Sequence, residues 1–132
     1  MPRHLFIALV ILTFPACAPA LRTGGAEDVV VEQLFFGRNL RGQQVVSDSA
    51  WSHFLAEVVT PRFPDGLTVF QAAGQWRGAD GKIEREASFI LELVHAFSAA
   101  ANSNIVFIIT EYKRRFQQEA VLRVTIPAKA AY

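Results

Sequence analysis

Cysteine is almost missing from this 132-residue chain, and the single one, Cys17, excludes an internal disulfide. A small domain without crosslinks must hold together through its apolar core, which is feasible at around 100 residues and hard below about 40. Charge of one sign is missing too. Thirteen Lys and Arg against twelve Asp and Glu leave a formal net charge of +1. No basic field exists to hold a phosphate backbone, so nucleic acid is not an expected partner. Histidine is scarce, and His4, His53 and His95 have no familiar zinc spacing, so no metal or cofactor is expected. The chain has no G-x-S-x-G elbow. Residues 74–78 (GQWRG) lack the Lys-Ser/Thr pair that makes a phosphate loop open into a helix.

What the N-terminus does have is an address. Arg3 and His4 precede residues 5–14 (LFIALVILTF), an apolar run matching a signal-peptide core and too short to span a bilayer, which takes roughly 20 residues. Small residues and turn formers follow in 15–19 (PACAP). Residues 1–16 are therefore expected to be a signal peptide. The FPAC ending resembles the lipobox of bacterial lipoproteins, which implies acylation of Cys17. Ordinary cleavage after Ala16, Ala18 or Ala20 is the other reading. Two acyl chains would hold the protein stably on a membrane. The expected place is the cell envelope: anchored to membrane by lipid and facing the periplasm, or soluble in the periplasm or medium if the leader is simply cut. Residues 17–28, polar and Gly-containing, read as a flexible tether.

One domain is expected over 29–127, with a short tail at 128–132. Residues 29–36 (VVVEQLFF) are β-branched and aromatic, a strand punctuated by Gly37. Residues 38–46 read as a polar loop. Ser47 or Asp48 caps a helix whose apolar positions Trp51, Phe54, Leu55, Val58 and Val59 share one face, ended by Thr60-Pro61. Strands are expected over 67–76 and 83–95. The segment 98–118 has helical spacing at Ile105, Ile108, Ile109, Tyr112 and Phe116, yet 105–110 (IVFIIT) is rich enough in β-branched residues to pair as a strand. A last strand covers 119–126. Strand, helix, strand, strand, helix, strand predicts an α+β, ferredoxin-like split βαββαβ fold: a four-stranded antiparallel sheet with two helices on one face.

Asp80-Gly81 is a two-residue hairpin signal. With those two at the turn, Ala72 opposes Phe89 and Phe70 opposes Leu91. The register would place Phe70, Ala72, Trp76, Ala87, Phe89, Leu91 and Leu93 together against the helices. It would leave Gln71, Gln75, Arg77, Glu84, Glu86, Ser88 and Glu92 on the other face.

Residues 32–39 (EQLFFGRN), 58–69 (VVTPRFPDGLTV), 74–86 (GQWRGADGKIERE) and 115–124 (RFQQEAVLRV) resemble an exported bacterial family known only as domain of unknown function 3574. The resemblance implies address and fold, and it brings no reaction with it. Phe89 stands where that family often has Lys, which puts any activity needing the amine in doubt here.

Two polar groupings remain. Arg62, Trp76, Arg77, Arg85 and Glu86 could bind an anion or small molecule at the open end of the hairpin, through guanidinium forks. The plain alternative is cross-strand pairing of Arg77 with Glu84 and stacking of Arg85 on Trp76. Glu32, Glu92 and Arg123 are expected together on the sheet face away from the helices, as an acid–base site or a satisfied ion pair. Val69, Ile90, Val94 and Val121 on that bare face would favour burial, against a partner or against a second copy in a homodimer. The functional expectation is thus an exported, lipid-anchored, non-catalytic interaction or ligand-binding module. The alternative is a small enzyme or anion-binding domain using the Arg/Trp/Glu pocket.

Overall fold

In the computed structural model, residues 25–40, 43–44, 46–78 and 80–131 are described. The expected signal peptide and Cys17 lie outside the described residues, as does the tether through residue 24. The first strand, β1 (Glu27–Gly37), leads into a minute hairpin of β2 (Asn39–Leu40) and β3 (Gln43–Gln44) within the stretch expected as loop. Helix α1 (Asp48–Phe54) runs on as a π-helical turn, Leu55–Val59. Strands β4 (Thr68–Arg77) and β5 (Ile83–His95), helix α2 (Ala99–Phe116) and β6 (Leu122–Ala130) complete the chain. The main sheet has the order β4-β5-β1-β6 with every neighbour antiparallel, which is the ferredoxin-like arrangement.

Local chemistry sets the helix ends. The Ser47 hydroxyl accepts from the Ala50 amide at 3.1 Å, and Ser98 accepts from Ala101 at 3.0 Å. Each satisfies one of the free donors of a first turn. The β-branched run at 105–110 is helix: Ile105, Ile108 and Tyr112 are fully buried at helical spacing, and packing of that face overrides strand propensity. Gln117 closes α2 in the left-handed region at φ 52°.

The core lies between the helices and the inward rows of the sheet, Val30, Leu34 and Phe36 on β1 and Phe89, Leu91 and Leu93 on β5. An aromatic cluster fills it. Trp51 stacks on Phe89 at 4.5 Å between ring centres and 11° between planes, and Phe36 meets Tyr112 edge-on at 4.5 Å. The Tyr112 hydroxyl donates to the Gly37 carbonyl at 2.8 Å, tying α2 to the end of β1. Burial raises the phenol's pKa well above its ordinary value. Phe89 is thus a stacked core residue beneath the Arg38 guanidinium at 4.5 Å.

The β4–β5 register differs from expectation by one residue. Trp76 opposes Glu84, Ala72 opposes Ser88 and Phe70 opposes Ile90. The turn uses three residues: the Gly78 amide bonds the Lys82 carbonyl at 2.8 Å, the Gly81 amide bonds Gly78 at 2.9 Å, and Gly81 sits at φ 82°. A three-residue loop closed by a left-handed glycine moves the pairing by one from the two-residue reading, which put Asp80-Gly81 alone at the tip. The slip turns β4 over. Phe70, Ala72 and Trp76 face away from the helices, while Val69 packs against the core and Phe89, Leu91 and Leu93 keep their inward places.

Candidate functional site

The expected Arg/Trp/Glu pocket does not assemble. Arg62, in the turn after the helix, donates to the Val58 carbonyl at 2.7 Å and lies over the Phe107 ring at 3.7 Å. Trp76, at the hairpin's outer end, is half exposed on the bare face. Arg77 opposes Ile83 rather than Glu84. Arg85 opposes Gln75, donates to it at 3.4 Å, and lies on the opposite face from Trp76. Glu86 turns back over Gly37, where a Cβ would meet its carboxylate at 2.8 Å, and accepts from the Asn39 amide at 3.2 Å. The depression lined by Ala73, Gly74, Gln75, Arg85, Glu86 and Ala87, about 500 Å³, is a shallow surface along this hairpin end.

The expected trio of Glu32, Glu92 and Arg123 is split across the sheet. Glu92 is on the bare face, accepting from the Gln33 amide group at 2.9 Å. Glu32 alternates with Val30 and Leu34 and so points inward, where it is 1% exposed. Opposite it on β6 is Thr125, and Arg123 opposes Leu34, so both share the inward side. The expectation failed because β6 turns its charged positions inward and leaves Leu122, Val124 and Ile126 outside, the reverse of an amphipathic core strand.

What the inward side holds is a small cavity of about 260 Å³, lined by Glu32, His95, Phe97, Ser98, Asn102 and Arg123 among others. Its floor comes from β1, β5 and β6, and its wall is the first turn of α2. Arg123 grips Glu32 with two bonds, Nε to Oε2 at 2.8 Å and Nη2 to Oε1 at 2.5 Å, and donates through Nη1 to Asn102 Oδ1 at 2.9 Å. Thr125 donates to Glu32 Oε2 at 2.8 Å. Burial pushes the Glu32 carboxyl up, but the bonds from Arg123 and Thr125, with the Arg123 charge, outweigh it and hold the group below its ordinary value. Glu32 is accordingly a carboxylate with its partner in place. His95 closes the cavity's far side: Nδ1 faces the Ala96 carbonyl at 2.8 Å, and Nε2 is buried with no hydrogen-bond partner. In the sequence His95 counted only as one of three histidines without zinc spacing. The signal that marks it is positional: it lies two residues beyond Leu93 on the inward phase, beside the Val30–Glu32 row.

The other face of the sheet is bare and mostly apolar. One row crosses all four strands as Phe70, Ile90, Phe35 and Leu122, and another joins Val94, Val31 and Ile126. Between them runs Thr68, Glu92, Gln33 and Val124, whose polar centre is satisfied by the Gln33–Glu92 bond. Phe70, Val94, Leu122 and Ile126 are each more than 40% exposed. Val69 and Val121, expected here, pack against the core.

Among the described residues no group of three or more His, Cys, Asp and Glu is placed to hold a metal ion. No helix among them is long and apolar enough to cross a membrane.

The model of one family, protein of unknown function (DUF3574), matches residues 31–132. The chain belongs to the DUF3574 family. No curated protein matches this DUF3574 chain. Solved structures share its fold at low identity. A phage SAM lyase in complex with S-methyl-5'-thioadenosine has a TM-score of 0.63 at 14% identity, covering 84% of this chain and 94% of the lyase. The same kind of lyase in the apo state gives 0.59 at 13%, covering 87% and 97%. CutA1 from Oryza sativa gives 0.53 at 10%, covering 81% and 85%. These likenesses extend to the fold and no further.

Proposed function

We propose that this DUF3574 protein is an exported, lipid-anchored, non-catalytic module of the cell envelope that pairs with a second copy of itself through the bare face of its sheet. The anchor reading rests on the leader at 1–16 and on Cys17. The pairing reading is carried by one observation, the unbroken apolar row Phe70–Ile90–Phe35–Leu122 across all four strands. Soluble domains rarely leave so continuous an apolar surface uncovered. Four strands and about ten residues of length give a face of roughly 600 Å², near the ~800 Å² per partner of a stable complex. An anionic lipid surface is a poor occupant, because the strand charges on this face, Glu27, Glu84, Glu86 and Glu92, are all acidic. A second copy supplies apolar rows for apolar rows.

Sedimentation equilibrium of the detergent-purified protein is expected to give a dimer. The double variant Phe70→Glu, Leu122→Glu is expected to give a monomer with an unchanged far-ultraviolet spectrum. A wild-type monomer at the highest soluble concentration rejects the pairing. Intact mass decides the anchor separately: the mature protein should carry a diacylglycerol and an acyl group on Cys17, and an unmodified Cys17 removes that part of the reading.

A further inference from the structure

We infer that the cavity beneath the first turn of α2 is a binding site for a small hydroxylated carboxylate. It lies on the helix side of the sheet, so it stands apart from pairing through the bare face. Three observations converge on it.

The first is a buried ion pair where a core side chain would serve. Glu32 is 1% exposed between Val30 and Leu34 on the inward phase. Taking both charges out of water usually leaves such a pair no better for stability than apolar residues of the same size. Stability alone therefore does not explain it. Its geometry leaves function open, because Arg123 uses three of its five N–H groups on Glu32 and Asn102 and keeps two. Its side chain is 26% exposed.

The second is the orphaned His95 Nε2. Its ring partner atom Nδ1 faces a backbone carbonyl, which only accepts, so the proton belongs on Nδ1 and Nε2 presents a lone pair. A buried acceptor without a donor is unfavourable, and a ligand hydroxyl would satisfy it once the His95 ring turns toward the cavity it lines. The third is space. About 260 Å³ is smaller than a drug-sized pocket, at roughly 300 Å³ and above, and suits a ligand of few heavy atoms. Phe97, 88% exposed at the rim, supplies an apolar cover.

The assignment follows from these groups. The two spare N–H groups of Arg123 fit the two oxygens of a carboxylate. The positive end of α2 favours that charge. The His95 lone pair takes the ligand's hydroxyl. A plain carboxylate leaves His95 unsatisfied, and a plain alcohol leaves Arg123 unused.

Lactate is the probe, with acetate and glycerol as controls, read by thermal unfolding and by amide NMR of the purified protein. Lactate at ten times its dissociation constant should raise the melting temperature by about 5 °C, and should shift the Ser98, Ala99 and Asn102 signals. Acetate should bind at least tenfold more weakly, and glycerol should do nothing. His95→Phe, which keeps a ring against Phe63, should retain the wild-type spectrum and lose the preference for lactate over acetate. Phe97→Ala, at a freely exposed position, should weaken lactate several-fold without altering the fold. No shift with 50 mM lactate overturns the inference. So does an equal response to lactate and acetate, or lactate binding that His95→Phe leaves intact.

Discussion

At the scale of single residues, the Glu32–Arg123 pair carries the sharpest consequence. Removing one partner of a buried pair leaves the other uncompensated, at about 3–5 kcal/mol. Arg123→Ala is expected to fall in that range by urea unfolding at pH 7. The pH dependence fixes the cause. In the wild type, Glu32 is held below its ordinary value of 4.5, and Glu111, bonded by Arg114 and Arg115, is held down to about 2. Carboxyls lowered on folding contribute stability that is present above about pH 4.5 and lost as pH falls toward 2. In Arg123→Ala, burial is the largest influence left on Glu32 and raises its pKa. The variant's deficit should then shrink as pH drops and Glu32 takes its proton. A deficit that stays constant from pH 7 to pH 4 would mean the loss is packing and not charge. The sequence grouped Glu32 and Arg123 with Glu92 on the outer face, so it brought the two together in the wrong company and on the wrong side. Their depth was not legible, because a charged residue at an inward position looks like a surface position until its partner's strand is placed.

At the scale of elements, the first helix was readable because cap, spacing and stop agreed, Ser47 with Trp51, Phe54 and Thr60-Pro61, whereas α2 was ambiguous over 105–110, where helical spacing competed with β-branched composition. Consistency across levels is what makes an element legible. The hairpin was readable as a hairpin but not in register. Ala79-Asp80-Gly81 and Asp80-Gly81 give loops differing by one residue, and the tie-break in the strand misled: the alternation of Phe70, Ala72 and Trp76 with Gln71, Gln75 and Arg77 favoured the two-residue turn, whereas β4 turns its more apolar row outward. With a period of two, that single residue exchanges every side chain of β4 between faces. Cross-strand Hα contacts decide it: the account expects Phe89 to approach Gln71 and Ser88 to approach Ala72. Phe89 contacting Ala72 instead would restore the two-residue turn and return Phe70 to the core.

At the scale of the whole molecule, the ferredoxin-like order followed from element order alone, since each β-α-β unit returns its second strand to the same sheet with its helix on the same side. The face that order leaves bare proved more apolar than the sequence suggested. Turning β4 and β6 over moved Phe70, Leu122 and Ile126 outward and Val69 and Arg123 inward. An outward apolar β6 makes little sense for a solitary sheet and good sense for one that is covered. The most direct test of that cover is an isotope-filtered NOE experiment on a mixture of labelled and unlabelled protein. The account predicts contacts between copies from the methyl groups of Ile90, Leu122 and Ile126 to the rings of Phe35 and Phe70. Methyl groups on this face that see only their own copy, and that stay open to a soluble paramagnetic probe, would contradict it.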